Sequence, residues 1–160
     1  MCLYISRVHH HTKLDNWGYP YYTSKTVGKK PIRCYKLLEF NKDLRTMATP
    51  YQYVPINFNK SGVAIIWGSG FQPSINCDTD EEPIAHCGVH AYRTKKISKD
   101  AINNAAMMDW EFKEYLAIIP SGEEYFVGKD GDIVASKMIV FRTKEAFKKY
   151  LNGQETIEIQ

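Results

Sequence analysis

The clearest alternation of apolar and polar positions lies in the last third of the chain. Tyr115–Ile119 is an apolar run that stops at a Pro-Ser-Gly sequence, which is typical of a strand followed by a turn. Two further runs, Tyr125–Val127 and Ile133–Phe141, flank Gly128-Lys129-Asp130-Gly131. Glycine and aspartate at these positions favour a tight hairpin turn. This region therefore predicts consecutive antiparallel strands.

Two helices are predicted from capping residues and periodicity. Thr143 is suited to cap a helix over Lys144–Leu151, which Asn152-Gly153 would end. Ser98 is suited to cap an earlier helix that runs from Lys99 to about Asp109. Both predicted helices are short.

The rest of the chain alternates apolar runs with polar excursions. The predicted strands are Leu3–Val8, Ile32–Phe40, Val63–Trp67 and Ala85–Tyr92. The predicted irregular segments, rich in Gly, Pro and polar residues, are Thr12–Pro31, Asn41–Asn59 and Phe71–Pro83. Several strands with two helices predict one α+β domain over residues 1–160, mainly antiparallel sheet with long irregular loops. Those loops are where a site is expected.

Composition narrows the range of partners. The chain has 160 residues, a length that fits a single domain. Its 21 basic and 18 acidic residues leave a net charge of +3, so a nucleic acid is not the expected partner. Eleven tyrosines favour a recognition surface, because tyrosine combines a large apolar body with a polar tip.

The expected compartment is the cytoplasm. No apolar segment approaches the roughly 18 residues of a membrane span, so no membrane is expected as a partner. The first residues turn polar too soon for a secretory signal. The four cysteines have no tight even spacing, which favours reduced thiols over a disulfide framework.

The densest group of possible metal ligands is Cys77, His86, Cys87 and His90. Two thiolates and two imidazoles form a ligand set that suits zinc. The spacing opposes this, because adjacent strand residues point to opposite faces. A buried cysteine and a hydrogen-bonded histidine are the favoured interpretation, and zinc stays an open alternative. The run His9-His10-His11 is interpreted as a solvated strand end.

No other motif supplies convincing chemistry. No catalytic residue, metal or cofactor is therefore predicted. Gly68-Ser69-Gly70 lacks the Lys-Ser/Thr of a phosphate-binding loop, and the acidic residues from Asp78 to Glu82 lack the spacing of a calcium hand. Glu123 and Glu124 are adjacent, so at most one of them points inward from a strand.

Several segments together resemble small uncharacterised proteins encoded by phages and prophages of gut bacteria. The segments are Met1-Cys2-Leu3-Tyr4, Cys34-Tyr35-Lys36-Leu37-Leu38, Thr49-Pro50-Tyr51, Gly88-Val89-His90-Ala91-Tyr92, the stretch from Ile118 to Gly128, and Asp132-Ile133-Val134-Ala135-Ser136. The resemblance spans most of the chain. It implies a phage accessory protein that acts in an infected cell, or alternatively a component of the virion.

A looser pattern resembles ADP-ribosyltransferase-type domains. It consists of a Tyr-Lys strand, a Gly-x-His strand and an Ile-Pro-x-Gly strand, in that order. The resemblance implies that Arg33 or Lys36 would grip a nicotinamide dinucleotide and that Glu123 or Glu124 would orient its ribose. The family's Ser-Thr-Ser segment and its Glu-x-Glu pair are missing here.

The function predicted from these observations is binding rather than catalysis. We expect a phage accessory protein that captures a host protein or a nucleotide-like small molecule, with an anti-defence role as one consequence. The ligand-binding residues predicted for it are Arg33, Tyr35, Lys36, Tyr51, His90 and Tyr92. The alternatives are an enzyme that uses a nicotinamide dinucleotide and a virion-associated structural protein that self-associates as a homo-oligomer through strand edges.

Overall fold

The computed structural model describes residues 3–41, 46–49, 54–77, 82–107 and 111–160. The described strands are β1 (Leu3–Tyr4), β2 (Lys13–Leu14), β3 (Pro20–Thr23), β4 (Lys25–Thr26), β5 (Ile32–Asn41), β6 (Thr46–Ala48), β7 (Val63–Trp67), β8 (Ser74–Asn76), β9 (Ile84–Ala85), β10 (Val89–Tyr92), β11 (Phe112–Ile119), β12 (Glu124–Val127), β13 (Asp132–Ala135) and β14 (Lys137–Phe141). The described helices are α1 (Lys95–Ala106) and α2 (Lys144–Leu151).

A nine-stranded sheet dominates the described part of the chain. Its strands run in the order β4-β12-β13-β10-β5-β11-β14-β7, and β6 pairs with β5. The pairs within it are antiparallel. A three-stranded sheet, β2-β3-β8, and a two-stranded sheet, β1-β9, complete the strands. A mostly antiparallel sheet with two helices is consistent with the predicted α+β class.

The large sheet is apolar on both faces. Its inner face carries one extended cluster, to which Cys34 and Leu38 of β5 contribute from alternate positions. On the outer face, α2 packs Phe147 and Leu151 against neighbouring strands. At the other end of the outer face, Leu3 belongs to a separate cluster that involves β1, β3 and β9. The small sheets thus cover one end of the large sheet.

The structure confirms the predicted C-terminal helix, Lys144–Leu151. The Thr143 side chain accepts a hydrogen bond from the Ala146 N–H, and Asn152 ends α2 in the left-handed conformation with φ of 36°. The predicted start of the earlier helix is wrong. Thr94 caps α1 instead, accepting from the Ile97 N–H, and Ser98 is buried one turn inside the helix. Because β10 ends at Tyr92, a cap at Thr94 lets α1 begin at once and cover β5, β10 and β11.

Two predicted strands are each divided in two. The run Ile133–Phe141 breaks at Ser136, whose hydroxyl accepts from the Glu124 N–H and donates to Glu123 Oε2. This polar corner sends β13 and β14 to different places in the sheet. The run Ala85–Tyr92 breaks near Gly88, which has φ of +127°, a conformation that L residues rarely adopt.

The predicted hairpin over Gly128–Gly131 is confirmed, because β12 and β13 pair across it. The predicted irregular segment Thr12–Pro31 contains three short strands, β2, β3 and β4. Neither helix in the described part of the chain has the length and apolarity needed to cross a membrane.

Candidate functional site

A groove of about 750 Å³ opens between the three-stranded sheet and β9. Its walls carry carboxylate, amide, aromatic and thiol groups. The lining includes Asp15, Tyr19, Asn76, Cys77, Glu82 and His86. The volume falls within the range of roughly 300–1,000 Å³ that is usual for small-molecule sites.

The wall that carries Tyr19 is held by a local turn. Asp15 Oδ1 accepts hydrogen bonds from the backbone N–H groups of Trp17, at 2.9 Å, and Tyr19, at 2.8 Å. The Asp15 N–H in turn donates to the Tyr19 carbonyl at 2.9 Å. An aspartate that bonds to backbone groups a few residues ahead is a common way to fix a turn. The Tyr19 ring is therefore presented by backbone that is already ordered.

The second wall comes from β8, which pairs with β3. Tyr21 lies opposite Asn76 in this pair, and the Cys77 N–H donates to the Pro20 carbonyl at 3.2 Å. Cys77 is half-buried there. Glu82 and His86 line the groove from the segment that includes β9.

A smaller pocket of about 430 Å³ adjoins the groove, and the two share Glu82 and Pro83. Its lining is basic where the larger groove is not, because it contains Arg7 and Lys129. The Lys129 ammonium donates to Glu82 Oε1 at 2.7 Å and lies 4.9 Å from the centre of the Tyr4 ring. This hydrogen bond raises the pKa of Lys129. The Glu82–Lys129 ion pair thus marks the junction between the two compartments.

The two compartments offer different chemistry to one ligand. Tyr19 and His86 provide flat rings for stacking, and Asn76 provides an amide that can pair with a polar ring edge. Arg7 and Lys129 are suited to an anionic group such as a phosphate. A ligand with an aromatic polar ring at one end and an anion at the other would match this order.

Four of the residues predicted to bind a ligand share one face of the large sheet, and none of the four lines the groove. Tyr35 lies directly opposite Tyr92 in the pairing of β5 with β10. Arg33 follows on the same face of β5 and forms an ion pair with Glu158. His90 lies on that face of β10.

The fifth predicted residue, Lys36, points the other way. It is in phase with Cys34 and Leu38, so it enters the inner face, where it is only 4% exposed. Its ammonium donates to the His90 carbonyl at 2.7 Å. Burial lowers the pKa of Lys36 to about 8. The sixth predicted residue, Tyr51, lies outside the described residues.

His90 is connected to the groove from behind. Its Nε2 lies 3.3 Å from the carbonyl oxygen of His86, so this ring nitrogen carries the hydrogen and donates. Its Nδ1 is buried without a hydrogen-bond partner. Burial lowers the pKa of His90 to about 4, so the ring is neutral near pH 7. His90 therefore supports the wall residue His86 from the layer beneath it.

His10 contradicts the interpretation of the histidine run as a solvated strand end. It is only 3% exposed and lies in a turn. Its Nε2 accepts from the Val127 N–H at 2.8 Å, and its Nδ1 donates to the Thr23 carbonyl at 3.1 Å. The ring also contacts the Phe126 ring, with centres 5.2 Å apart. Burial lowers the pKa of His10 to about 4, consistent with a neutral ring that links three segments.

The possible zinc ligands are not assembled. Among the described residues, no three His, Cys, Asp or Glu side chains lie close enough to hold a metal ion. Cys77 and His86 both line the groove, whereas Cys87 is exposed. The break near Gly88 changes the course of the chain between Cys87 and His90 without bringing the four together.

The residues implied by the resemblance to ADP-ribosyltransferase-type domains lie on separate strands. Arg33 and Lys36 are on β5, whereas Glu124 is on β12 and Glu123 immediately precedes it. Strands β10 and β13 stand between them in the sheet, which separates β5 from β12 by roughly 14 Å. Glu123 is also engaged, since its Oε2 accepts from the Ser136 hydroxyl.

The sequence patterns did not identify Tyr19 and Glu82 of the groove, or Arg7 and Lys129 of the smaller pocket. One local signal was available: an aspartate followed by Asn-Trp-Gly-Tyr is typical of a turn that displays aromatic side chains.

No family model, curated protein or solved structure matches this chain. A function for it therefore has to be inferred from the groove itself.

Proposed function

We propose that this chain is a single-domain binding protein that captures a nucleotide-like small molecule in the groove and the adjoining basic pocket. We propose that it acts in the cytoplasm of a bacterium infected by a phage. Removal of a nucleotide-like signal there would counter a host defence. The observation that supports binding most directly is the contact between two compartments of different chemistry, joined at Glu82 and Pro83.

The larger compartment suits the base and the smaller one suits the phosphate. A base stacked on Tyr19 gains apolar contact, and its polar edge can exchange hydrogen bonds with Asn76. A phosphate beside Arg7 and Lys129 gains charge-assisted hydrogen bonds. Simple capture requires no nucleophile or general base.

The Glu82–Lys129 ion pair sets the affinity of the basic pocket. Both side chains are about half exposed, so the pair is weak and can open at little cost. A bound phosphate would compete with Glu82 for the Lys129 ammonium. The two members of this pair should therefore influence binding in opposite directions, which a purely structural ion pair would not do.

Three substitutions test the proposal. With adenosine, guanosine, cytidine and uridine 5′-monophosphates and NAD+ as probes, at least one should bind, with saturation in calorimetry. For that probe, Tyr19→Ala and Lys129→Ala should each weaken binding by about tenfold. Glu82→Gln should strengthen it by about threefold, because it removes the competing charge. Tyr150→Ala is the matched control, since this exposed tyrosine lies on α2 and does not line the groove.

Two outcomes would contradict the proposal. The first is that none of the probes binds the intact protein. The second is that Lys129→Ala and Glu82→Gln change binding in the same direction. Release of nicotinamide from NAD+ that depends on Glu123 or Glu124 would support the enzyme alternative, and copurification with phage particles would support the virion alternative.

Capture of a host protein is a second candidate, favoured by the turn beside the groove. Trp17, in this turn, is 85% exposed, and the nearby residues Leu14 and Tyr19 are exposed as well. Exposed aromatic side chains on ordered backbone are frequent anchors of protein interfaces. Loss of a host partner with Trp17→Ala, together with unchanged nucleotide binding, would assign this turn to protein capture.

A further inference from the structure

A serine and a histidine are hydrogen-bonded to each other beside the basic pocket. The Ser6 hydroxyl lies 2.9 Å from His9 Nδ1. On the other side of the ring, His9 Nε2 lies 2.8 Å from the main-chain oxygen of Gln160. That oxygen can only accept a hydrogen bond, so Nε2 of the neutral ring carries the hydrogen. Nδ1 therefore keeps its lone pair and accepts from the Ser6 hydroxyl.

This arrangement is the one that activates a hydroxyl nucleophile. Such a site needs a base within about 2.6–3.2 Å of the nucleophile and a third group that orients the base. His9 is placed as the base, and the Gln160 oxygen fixes its ring and its tautomer. Ser6 and His9 are close in sequence, but His9 and Gln160 are 151 positions apart. A local turn motif accounts for the first contact and not for the second.

The backbone around Ser6 is already ordered by its own hydrogen bonds. The Ser6 N–H donates to the Val127 carbonyl at 2.8 Å. The Ser6 carbonyl accepts from the N–H groups of His9, at 3.2 Å, and His10, at 3.0 Å. The turn is therefore tied to the end of β12, and it holds the imidazole over the hydroxyl. Reacting groups that are held in place in advance lower the entropic part of a reaction barrier.

Ser6 also lines the basic pocket of about 430 Å³, together with Arg7 and Lys129. Glu82 is the carboxylate of that lining, so two positive charges and one negative charge leave a net charge of +1. A phosphodiester carries one negative charge, whereas a phosphomonoester carries about −1.5 to −2 at pH 7. The charge of the pocket therefore matches a phosphodiester.

We propose that Ser6 and His9 cleave a phosphodiester of the nucleotide-like ligand, so that the chain hydrolyses what it captures. Ser6 is the nucleophile and His9 is the general base. This inference rests on the proposed function, because the phosphate beside Arg7 and Lys129 is the group that Ser6 attacks.

The first step transfers the phosphoryl group to the serine. The Ser6 oxygen forms a bond to phosphorus, and the bond from phosphorus to the leaving alcohol oxygen breaks. His9 Nδ1 takes the Ser6 proton and passes it to the leaving oxygen, while its Nε2–H stays bonded to Gln160. Arg7 and Lys129 offset the negative charge that grows on the other phosphate oxygens.

The second step releases the product and restores the serine. A water molecule gives a proton to His9 Nδ1 and attacks phosphorus, the bond from phosphorus to the Ser6 oxygen breaks, and that oxygen takes the proton back. The sum of the two steps is one phosphodiester and one water converted into one phosphomonoester and one alcohol.

Thymidine 5′-(4-nitrophenyl phosphate) is the probe, because it is a nucleotide diester with a coloured leaving group. The full chain should release 4-nitrophenol, and after an acid quench peptide mass spectrometry should find a thymidylyl group on Ser6. Ser6→Ala and His9→Ala should each lower the rate of release by roughly 100-fold or more. His11→Ala is the matched control, since this exposed histidine of the same run should leave the rate unchanged.

Calorimetry with the same probe separates cleavage from capture. Binding without release of 4-nitrophenol and without an adduct on Ser6 overturns this inference and leaves the capture of a nucleotide standing. Release at an unchanged rate in Ser6→Ala also overturns it. If neither this diester nor any nucleoside monophosphate binds, the inference and the proposed function fail together. The adduct is measured on the unmodified chain, so that result does not depend on whether the variants fold.

Discussion

Replacing Lys36 with methionine should raise the free energy of unfolding at pH 7 by about 2 kcal/mol. The ammonium is fully enclosed on the inner face, and burial lowers the pKa of Lys36 from 10.5 to about 8. That shift corresponds to about 3 kcal/mol of destabilisation by the charged form. Methionine removes this cost but leaves the His90 carbonyl without its donor, which offsets about 1 kcal/mol. Urea denaturation at pH 7 measures the difference.

The stabilisation by Lys36→Met should shrink as the pH rises, and it should turn into a destabilisation near pH 10.5. Between pH 8 and 10.5 the unfolded chain holds a proton on Lys36 and the folded chain does not, so the unmodified protein gains stability with rising pH. Cys34, whose pKa is raised to about 12 by burial, acts in the opposite direction but is present in both proteins. Lys99→Met, at an exposed position of α1, is the control and should change stability by less than about 0.5 kcal/mol. A constant destabilisation by Lys36→Met at every pH would contradict the inferred burial of charge.

Replacing His10 with alanine should lower the free energy of unfolding by about 3 kcal/mol. The Val127 N–H is buried beneath the imidazole and would lose its acceptor, which costs about 1–3 kcal/mol. The contact with the Phe126 ring would be lost as well, leaving a cavity. Urea denaturation at pH 7 measures the loss. His11→Ala is the control. The His11 side chain is exposed, so this substitution should change the free energy of unfolding very little.

The contribution of His10 should also disappear in acid. Its pKa in the folded chain, about 4, lies below the ordinary value of 6.5, so between these values the unfolded chain takes up the proton. The stabilisation is thus complete above pH 6.5 and declines as the pH falls towards 4, by about 3 kcal/mol for this one group. His90 titrates in the same window, so the comparison with His10→Ala isolates the His10 share. An unchanged pH dependence in His10→Ala would show that His10 is not held neutral.

Local patterns predicted those parts of the fold that local interactions determine. The cap at Thr143, the stop at Asn152 and the hairpin over Gly128–Gly131 each depend on residues a few positions apart, and all three are confirmed. The predicted start of α1 was wrong because Thr94 and Ser98 are both residue types that cap helices well, so the local sequence does not choose between them. Only the end of β10 at Tyr92 and the covering of β5, β10 and β11 decide between them.

The predicted ligand-binding residues illustrate a different limit. Strand periodicity alone implies that Lys36 and Tyr35 point to opposite faces, and the structure places Lys36 in the inner cluster region. The burial of His10 depends on Val127, 117 positions away in the chain. No pattern within the histidine run could have revealed that contact.

The groove could not be predicted because it is assembled from distant segments. The turn near Asp15, strand β8 and the segment from Glu82 to His86 each look like polar loop or short strand when taken alone. Their proximity follows from the pairing of β3 with β8, a long-range contact between strands of three or four residues. Short strands carry too little periodicity to specify their partners.

The most direct test of the proposed function is an amide-resolved NMR titration of the full chain with the nucleoside monophosphate that binds best, up to about 5 mM. We expect saturable shifts confined to Tyr19, the segment 74–77, Glu82 and Lys129, around the groove and its basic pocket. Shifts confined to Arg33, Tyr35 and Tyr92, or the absence of any saturable shift, would contradict capture in this groove.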